Sequence, residues 1–228
     1  MQAVILAAGR GRRMGDLTNR SPKPMLRING RPIIEYTLRQ LPSEISEVVF
    51  ILGHQGHKII NYFGDQYQDR LVRYFWQIRL DGSAGAIFQA RRILKNNFLV
   101  LNGDDLYHRD DLKKIVQHNL AILVSPKPGI DSAASVEVSE QGYLLGFRPI
   151  ELSPFPLTNT GAYVLDYHFF SQPLAAISER EFGLPQTLAQ MATNHKIAVE
   201  ITDRWHANNA PDDLIAAEEF IKENALDY

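Results

Sequence analysis

The sequence has no cysteine. A disulfide framework and a thiolate metal site are therefore excluded. The absence suits a reducing compartment, and a cytoplasmic location is the expectation. No apolar run approaches the roughly 18 residues that a membrane span needs, so no membrane partner is expected. Charge of one sign is lacking too: Lys and Arg number 24 against 26 Asp and Glu, a formal net charge of −2. That balance gives no reason to expect nucleic acid or an anionic lipid surface as partner. The opening residues, Met1-Gln2-Ala3-Val4-Ile5-Leu6, have neither a basic leader nor a long apolar core, and read as a first strand rather than a signal peptide. His54, His57, His108, His118, His168, His195 and His206 lack the paired spacing of a zinc site.

Apolar residues make up 45% of 228 positions, enough to bury a core without staples. In the first half, apolar runs alternate with helical patterns. Val4 to Ala7, Glu47 to Gly53, Leu71 to Trp76 and Phe98 to Leu101 read as buried strands. Between them, Pro32 opens a helix with Ile34, Thr37, Leu38 and Leu41 on one face, and a second helix runs through Ile59, Ile60 and Phe63 to Gly64. Ser83 is placed to cap a third helix with Ile87, Ala90, Ile93 and Leu94 on its stripe. This βαβα rhythm predicts an α/β fold with a doubly wound, largely parallel sheet. After residue 120 the rhythm changes. Leu120 to Val124, Ala133 to Val138, Tyr143 to Phe147 and Gly161 to Leu165 read as strands of an antiparallel extension. A helix from Pro185, a strand over Lys196 to Ile201 and a helix from Pro211 follow. No repeat, low-complexity tract or linker interrupts the chain, so 1–228 reads as a single domain.

The segment richest in chemistry follows the first strand: Leu6-Ala7-Ala8-Gly9-Arg10-Gly11-Arg12-Arg13-Met14-Gly15, continuing to Ser21-Pro22-Lys23-Pro24-Met25. Its glycines permit unusual backbone angles and close approach of N–H groups to an anion. Arg10, Arg12, Arg13, Arg20 and Lys23 give it a charge density suited to a polyphosphate, at the strand end where open α/β sheets bind ligands. The dinucleotide fingerprint fails, because Met14 stands where its third glycine belongs. The P-loop pattern is absent. The bland alternative is a solvated basic loop.

The segment resembles the signature of sugar-phosphate nucleotidylyltransferases, also called nucleotide-sugar pyrophosphorylases. It keeps Gly9, Gly11, Arg13, Met14, Leu17, Thr18 and Pro22-Lys23-Pro24. It departs at Arg12, where the family has a small hydroxyl residue, and at Asp16, where it has proline. Asn29-Gly30-Arg31-Pro32, Gln77 with Asp81-Gly82-Ser83-Ala84-Gly85-Ala86, Asn102-Gly103-Asp104-Asp105, Asn159-Thr160-Gly161-Ala162-Tyr163 and Trp205 to Leu214 extend the resemblance over nearly the whole chain. No β-helix repeat follows, so the resemblance is to a short form of the family.

The resemblance implies a three-layer Rossmann-like fold, with a mixed, mostly parallel sheet and helices on both faces, as in nucleotide-diphospho-sugar transferases. Residues 1–118 would form a nucleotide-binding half and 119–228 an acceptor-binding half. The implied reaction moves an NMP group from an NTP to a sugar 1-phosphate or similar phosphorylated small-molecule acceptor and releases pyrophosphate, with Mg2+ as cofactor. Arg13 would hold the β- and γ-phosphates, and Lys23 would bridge the α-phosphate and the acceptor phosphate. Leu6, Ala7, Ala8, Gly9, Gly11, Arg12, Gly82 and Ser83 would line the nucleotide, and Gln77 would read the base. Asp104 would meet both nucleotide and metal. Asn159 and Gly161 would face the acceptor, with Tyr163 beside them. A homo-oligomer is left open.

Two departures bear on activity. The family's second metal-ligating aspartate falls at Ala207, and its helix-capping threonine at Ala210. Asn208 and Asn209 offer neutral oxygens there. The family's acceptor-gripping lysine falls at Arg148 in Phe147-Arg148-Pro149, with Lys127-Pro128 as a rival placement. An active enzyme and a catalytically impaired relative that binds a nucleotide or nucleotide sugar as a regulatory subunit are both compatible with this pattern.

Overall fold

The computed structural model of the chain describes residues 1–127 and 134–226. In chain order the first strands are β1 (Gln2–Ala7), β2 (Arg27–Ile28), β3 (Arg31–Pro32), β4 (Glu47–Leu52), β5 (Gln66–Tyr67), β6 (Arg70–Trp76), β7 (Phe98–Asn102) and β8 (Asp105–Tyr107). The later ones are β9 (Ala121–Ser125), β10 (Ala134–Val138), β11 (Leu144–Pro149), β12 (Thr158–Leu165), β13 (Ala198–Ile201) and β14 (Trp205–Ala207). The helices are α1 (Ile33–Arg39), α2 (His57–Phe63), α3 (Gly82–Gln89), α4 (Arg109–Ile115), α5 (Leu184–Met191) and α6 (Pro211–Glu223).

Eight strands form one sheet in the order β13-β9-β12-β7-β1-β4-β6-β5. β1 pairs in parallel with β4 on one side and β7 on the other, and β4 pairs in parallel with β6. Alternate side chains of these strands enter opposite layers, as the pleat requires. Ala3 and Ile5 of β1 pack with Leu38 of α1, Phe63 of α2 and Leu112 of α4. Val4 packs on the other face with Ile87 of α3 and Leu188 of α5. Both faces are covered, which is why these strands read as continuous apolar runs rather than alternating ones. α6 joins Met14, Ile28 and Tyr36 in a third cluster beside the sheet. The fold is the three-layer α/β arrangement expected from the sequence.

Several details differ from the sequence reading. β9 and β12 complete the main sheet instead of extending it. β12 lies antiparallel between β7 and β9, and β13 pairs in parallel with β9. Only β10 and β11 stand apart as a two-stranded ribbon. An apolar run fixes burial but not partner, so the sequence could not separate these outcomes. Ala133, placed in that ribbon from sequence, lies outside the described residues. Pro32 precedes α1 as its cap rather than opening it. Ser83 lies inside α3, whose cap is Asp81, and its Oγ accepts from Leu184 N at 3.0 Å. At α6 the cap is Ala210, and Asp213 reaches back to accept from the backbone N–H groups of Asn209 (2.6 Å) and Ala210 (2.7 Å). That contact partly replaces the lost threonine.

The order of strands also locates the site. From β1 the chain passes to β4 and β6 on one side and returns to β7 on the other. Loops leaving the carboxyl ends of β1 and β7 therefore diverge, and the crevice between them is where such sheets bind ligands.

Candidate active site

The loop leaving β1 is held open by its glycines. A Cβ on Gly9 would meet nothing within 4 Å, so the space beside it is free for a ligand. Gly11 is left-handed (φ 61°), and a Cβ there would lie 2.9 Å from Lys23 Cβ. The two ends of the loop thus touch where a side chain has no room. Thr18 Oγ1 bonds the carbonyls of Gly11 and Gly15, and Met14 is anchored in the core.

Pro22 and Pro24 fix the backbone on either side of Lys23, which begins a single 3-10 turn. Lys23 is 7% exposed, and its Nζ lies 2.5 Å from Asp104 Oδ2. Asp104 occupies the turn between β7 and β8. Its backbone carbonyl accepts from Asn208 Nδ2 at 2.8 Å, tying that turn to the segment after β14. Lys23, Asp104, Arg12, Arg13 and Asn209 line a cavity of about 280 Å3 floored by Leu6 and Ala7. Arg13 Nη2 donates to Asn209 Oδ1 across it, at 3.3 Å.

Beside this cavity, and sharing the Leu6, Gly9, Gly11 and Arg12 wall, a cleft of about 680 Å3 extends past Ala8 to Gln77, Gly82 and Ser83. Asn102 and Glu181 also reach it. The smaller cavity is cationic and the larger is mixed. That division suits a polyphosphate in the first and a nucleoside in the second.

Asp105 is turned into the protein. It is 5% exposed, and its Oδ2 accepts from Asn102 Nδ2 at 3.1 Å. Burial, reinforced by the charge of Asp104, pushes its pKa up to about 8. The indole N–H of Trp205 lies beside this carboxyl but outside hydrogen-bond geometry. Ala207 pairs across from Asp105 on β14 and packs against the core.

Gly161 is left-handed (φ 76°), and a Cβ there would lie 2.0 Å from Asn102 Nδ2. It sits at the register shift where β12 pairs with β9. Its N–H donates to Asn159 Oδ1 at 3.0 Å, and Asn159 Nδ2 contacts Tyr163 Oη at 2.6 Å. Asn159 faces a third cavity of about 540 Å3 between the β10–β11 ribbon and α5, lined also by Phe147, Gln186 and Gln190. Asn102, against which Gly161 packs, lines the cleft of Gln77.

Lys23, Arg13, Arg12, Asp104 and the glycine loop are therefore brought to one cavity. Gln77, Gly82 and Ser83 lie in the adjoining cleft, Asn159 lines the third cavity, and Gly161 packs against Asn102 of the cleft. Arg148 is not brought to them. The strand alternates at that point, so Phe147 faces the third cavity while Arg148 turns outward to Glu137, Nε to Oε1 at 2.6 Å. The rival Lys127 lies over the ring of Phe220, 5.7 Å from its centroid, and Pro128 is outside the described residues. Sequence reasoning missed Glu181, because no local motif joins its loop to the cleft. Among the described residues no three His, Cys, Asp or Glu side chains converge as a metal cage.

The nucleotidyl transferase family model matches residues 2–122. The chain is 32% identical over 226 residues to the bifunctional protein GlmU of Methanococcus maripaludis, covering 95% of this chain and 53% of that protein. It thus spans about half the length of that relative. It is 30% identical over 173 residues to D-glycero-alpha-D-manno-heptose 1-phosphate guanylyltransferase of Campylobacter jejuni, covering 75% of this chain and 78% of that one. Among solved structures, the inositol-1-phosphate CTP transferase from T. maritima superposes with a TM-score of 0.78 at 20% identity, over 98% of this chain and 95% of that chain. UDP-glucose pyrophosphorylase from Acinetobacter baumanii does so with a TM-score of 0.83 at 19% identity, over 96% and 92%. At these identities the structural likeness concerns the fold.

Proposed function

The chain belongs to the nucleotidyl transferase family, and from that premise we propose that it moves a nucleoside monophosphate group from an NTP to a sugar 1-phosphate or similar phosphorylated acceptor. A phosphate oxygen of the acceptor attacks the α-phosphorus. The bond from that phosphorus to the bridging oxygen breaks, and pyrophosphate leaves. The protein's work is positioning and charge stabilisation.

The observation that carries this reading is the convergence of Lys23 and Arg13 on a cavity walled by the glycine loop. Lys23, stiffened by its prolines, meets the charge that develops at the α-phosphate and acceptor phosphate. Arg13 and Arg12 hold the departing phosphates, with Arg13 oriented through Asn209. Ala8, Gly9 and Gly11 offer backbone to the nucleotide, with Gln77, Gly82 and Ser83 on the base and ribose side. The acceptor extends past Asn159 and Gly161 into the third cavity. In this reading residues 1–118 supply most of the nucleotide site, joined by Glu181 and Asn209 from the second half, and the acceptor site belongs to 119–228.

The donor chemistry also suits Mg2+. One partly exposed carboxylate, Asp104, faces the phosphate cavity with the Asn209 amide nearby. Mg2+ takes few protein ligands and completes its shell from phosphate oxygens and water. Bound there, it would neutralise phosphate charge during transfer.

Ala207 favours a second reading. Its methyl packs on the core where a carboxylate would add charge. The alternative is a relative that binds a nucleotide or nucleotide sugar as a regulatory subunit. Pyrophosphate release from ATP, GTP, CTP, UTP and dTTP against a panel of sugar 1-phosphates and phosphocholine, with Mg2+, decides between them. Release that requires one NTP–acceptor pair supports transfer. Silence in protein that still binds nucleotide supports the regulatory reading.

A further inference from the structure

Gln77 stands at the end of β6, where its N–H bonds Leu52 O at 2.9 Å. Its side-chain amide is not free to turn. Nε2 donates to Asp81 Oδ1 at 3.1 Å and to Gly82 O at 3.3 Å. Both partners are acceptors only, so the NH2 group must face them and Oε1 faces away. Asp81 is itself held. Its Oδ1 accepts from Gln89 Nε2 at 2.8 Å, and Gln89 spans back to Arg79 O and Ile78 N. A Cβ on Gly85 would lie 2.3 Å from that carboxylate oxygen, so only glycine leaves room for the clamp.

A second acceptor comes from a distant loop. Phe182 N bonds Asp81 O, and Ala84 N bonds Phe182 O, pinning residues 181–183 over the start of α3. Glu181 is thereby placed on the same cleft as Gln77. An unclamped glutamine reads a base with one donor and one acceptor. Gln77 and Glu181 bring to this cleft a carbonyl oxygen and a carboxylate, both acceptors, alongside the donors of Arg10, Arg12, Ser83 and Asn102 that also line it. Guanine presents two adjacent donors on its pairing edge, N1–H and the N2 amino group. Uracil and thymine present one N–H between two carbonyls. Cytosine and adenine present an unprotonated ring nitrogen beside their amino group, which an acceptor wall repels.

Resting on the nucleotide-transfer reading, we infer that the cleft selects a guanine nucleotide. Gln77 Oε1 and the Glu181 carboxylate take the two donors, and Asp81 is the positioning residue that fixes the Gln77 amide. A site that hydrogen-bonds a substrate N–H discriminates against a base that lacks it.

The test is nucleotide binding by calorimetry for GTP, UTP, dTTP, CTP and ATP, beside turnover with each. The wild type is expected to bind GTP about tenfold or more tightly than the others. Asp81→Ala frees the amide and is expected to shrink that preference about fivefold or more through KM, with kcat little changed and the melting temperature of a folded protein. Asp81→Asn, whose Oδ1 still accepts, is expected to retain the preference. Glu181→Gln is expected to weaken GTP alone. Tightest binding of any other nucleotide by the wild type, or an unchanged ranking in Asp81→Ala, overturns the inference. Transfer that runs best with another NTP leaves the transfer reading standing without it. Tightest GTP binding without transfer does the reverse.

Discussion

Lys23 Nζ and Asp104 Oδ2 lie 2.5 Å apart, an ion pair joining the loop after β1 to the turn after β7. The pair spans the crevice at which the two loops diverge. It holds the lysine and the carboxylate on the cavity that Arg12 and Arg13 also line.

Replacement of Lys23 by alanine is expected to lower kcat/KM by a factor corresponding to roughly 3–4 kcal/mol, the cost of losing one preorganised donor. Lys23→Arg is expected to restore little, since a planar fork does not reproduce a point charge in a closed space. Steady-state rates with both variants check this, with circular dichroism to confirm folding. A loss below about threefold would remove Lys23 from the chemistry.

Ala207→Asp brings a third carboxylate beside Asp104 and Asp105. Without metal it is expected to lower the melting temperature, because like charges crowd a buried strand pair. Added Mg2+ is expected to recover that loss, and Mn2+ binding is expected to tighten. The rate is expected to change by less than about tenfold, because the unmutated donor set already suits metal delivered with the nucleotide. A far larger gain would show that the chain as it stands is impaired.

Asp105 carries a pH signature. Its pKa in the folded protein is raised to about 8 by burial and by Asp104. A raised carboxyl pKa means that the folded state holds the proton more tightly than the unfolded one. Stability is therefore lost as pH rises from the unfolded value of about 4 through about 8, and the loss levels off beyond. Asp105→Asn cannot ionise, so its melting temperature relative to the wild type is expected to climb between pH 5 and pH 8, roughly the interval between those two values. A constant difference across that range would exclude the linkage.

Gly161→Ala puts a methyl group against Asn102 and holds a left-handed backbone angle that alanine disfavours. The expected cost is about 1–3 kcal/mol of stability, read as a lower urea midpoint. Asn102 also supports Asp105, so the pH dependence of stability should shift with it.

The sequence by itself determined the central layers and the glycine-rich basic loop after β1. Continuous apolar runs mark strands buried on both faces, and a glycine-rich segment among basic residues marks an open, positively charged loop. Both are local consequences of burial and backbone freedom. The placement of Lys23 between prolines is local in the same sense. Only tertiary structure decided what meets across the chain. It put β9 and β12 in the main sheet, turned Arg148 away to Glu137, drew Glu181 to the cleft of Gln77 and buried Asp105 beside Asp104. Those outcomes depend on register and on which loops the sheet brings together, and a pair as far apart in sequence as Gln77 and Glu181 leaves no mark of that in its own neighbourhoods.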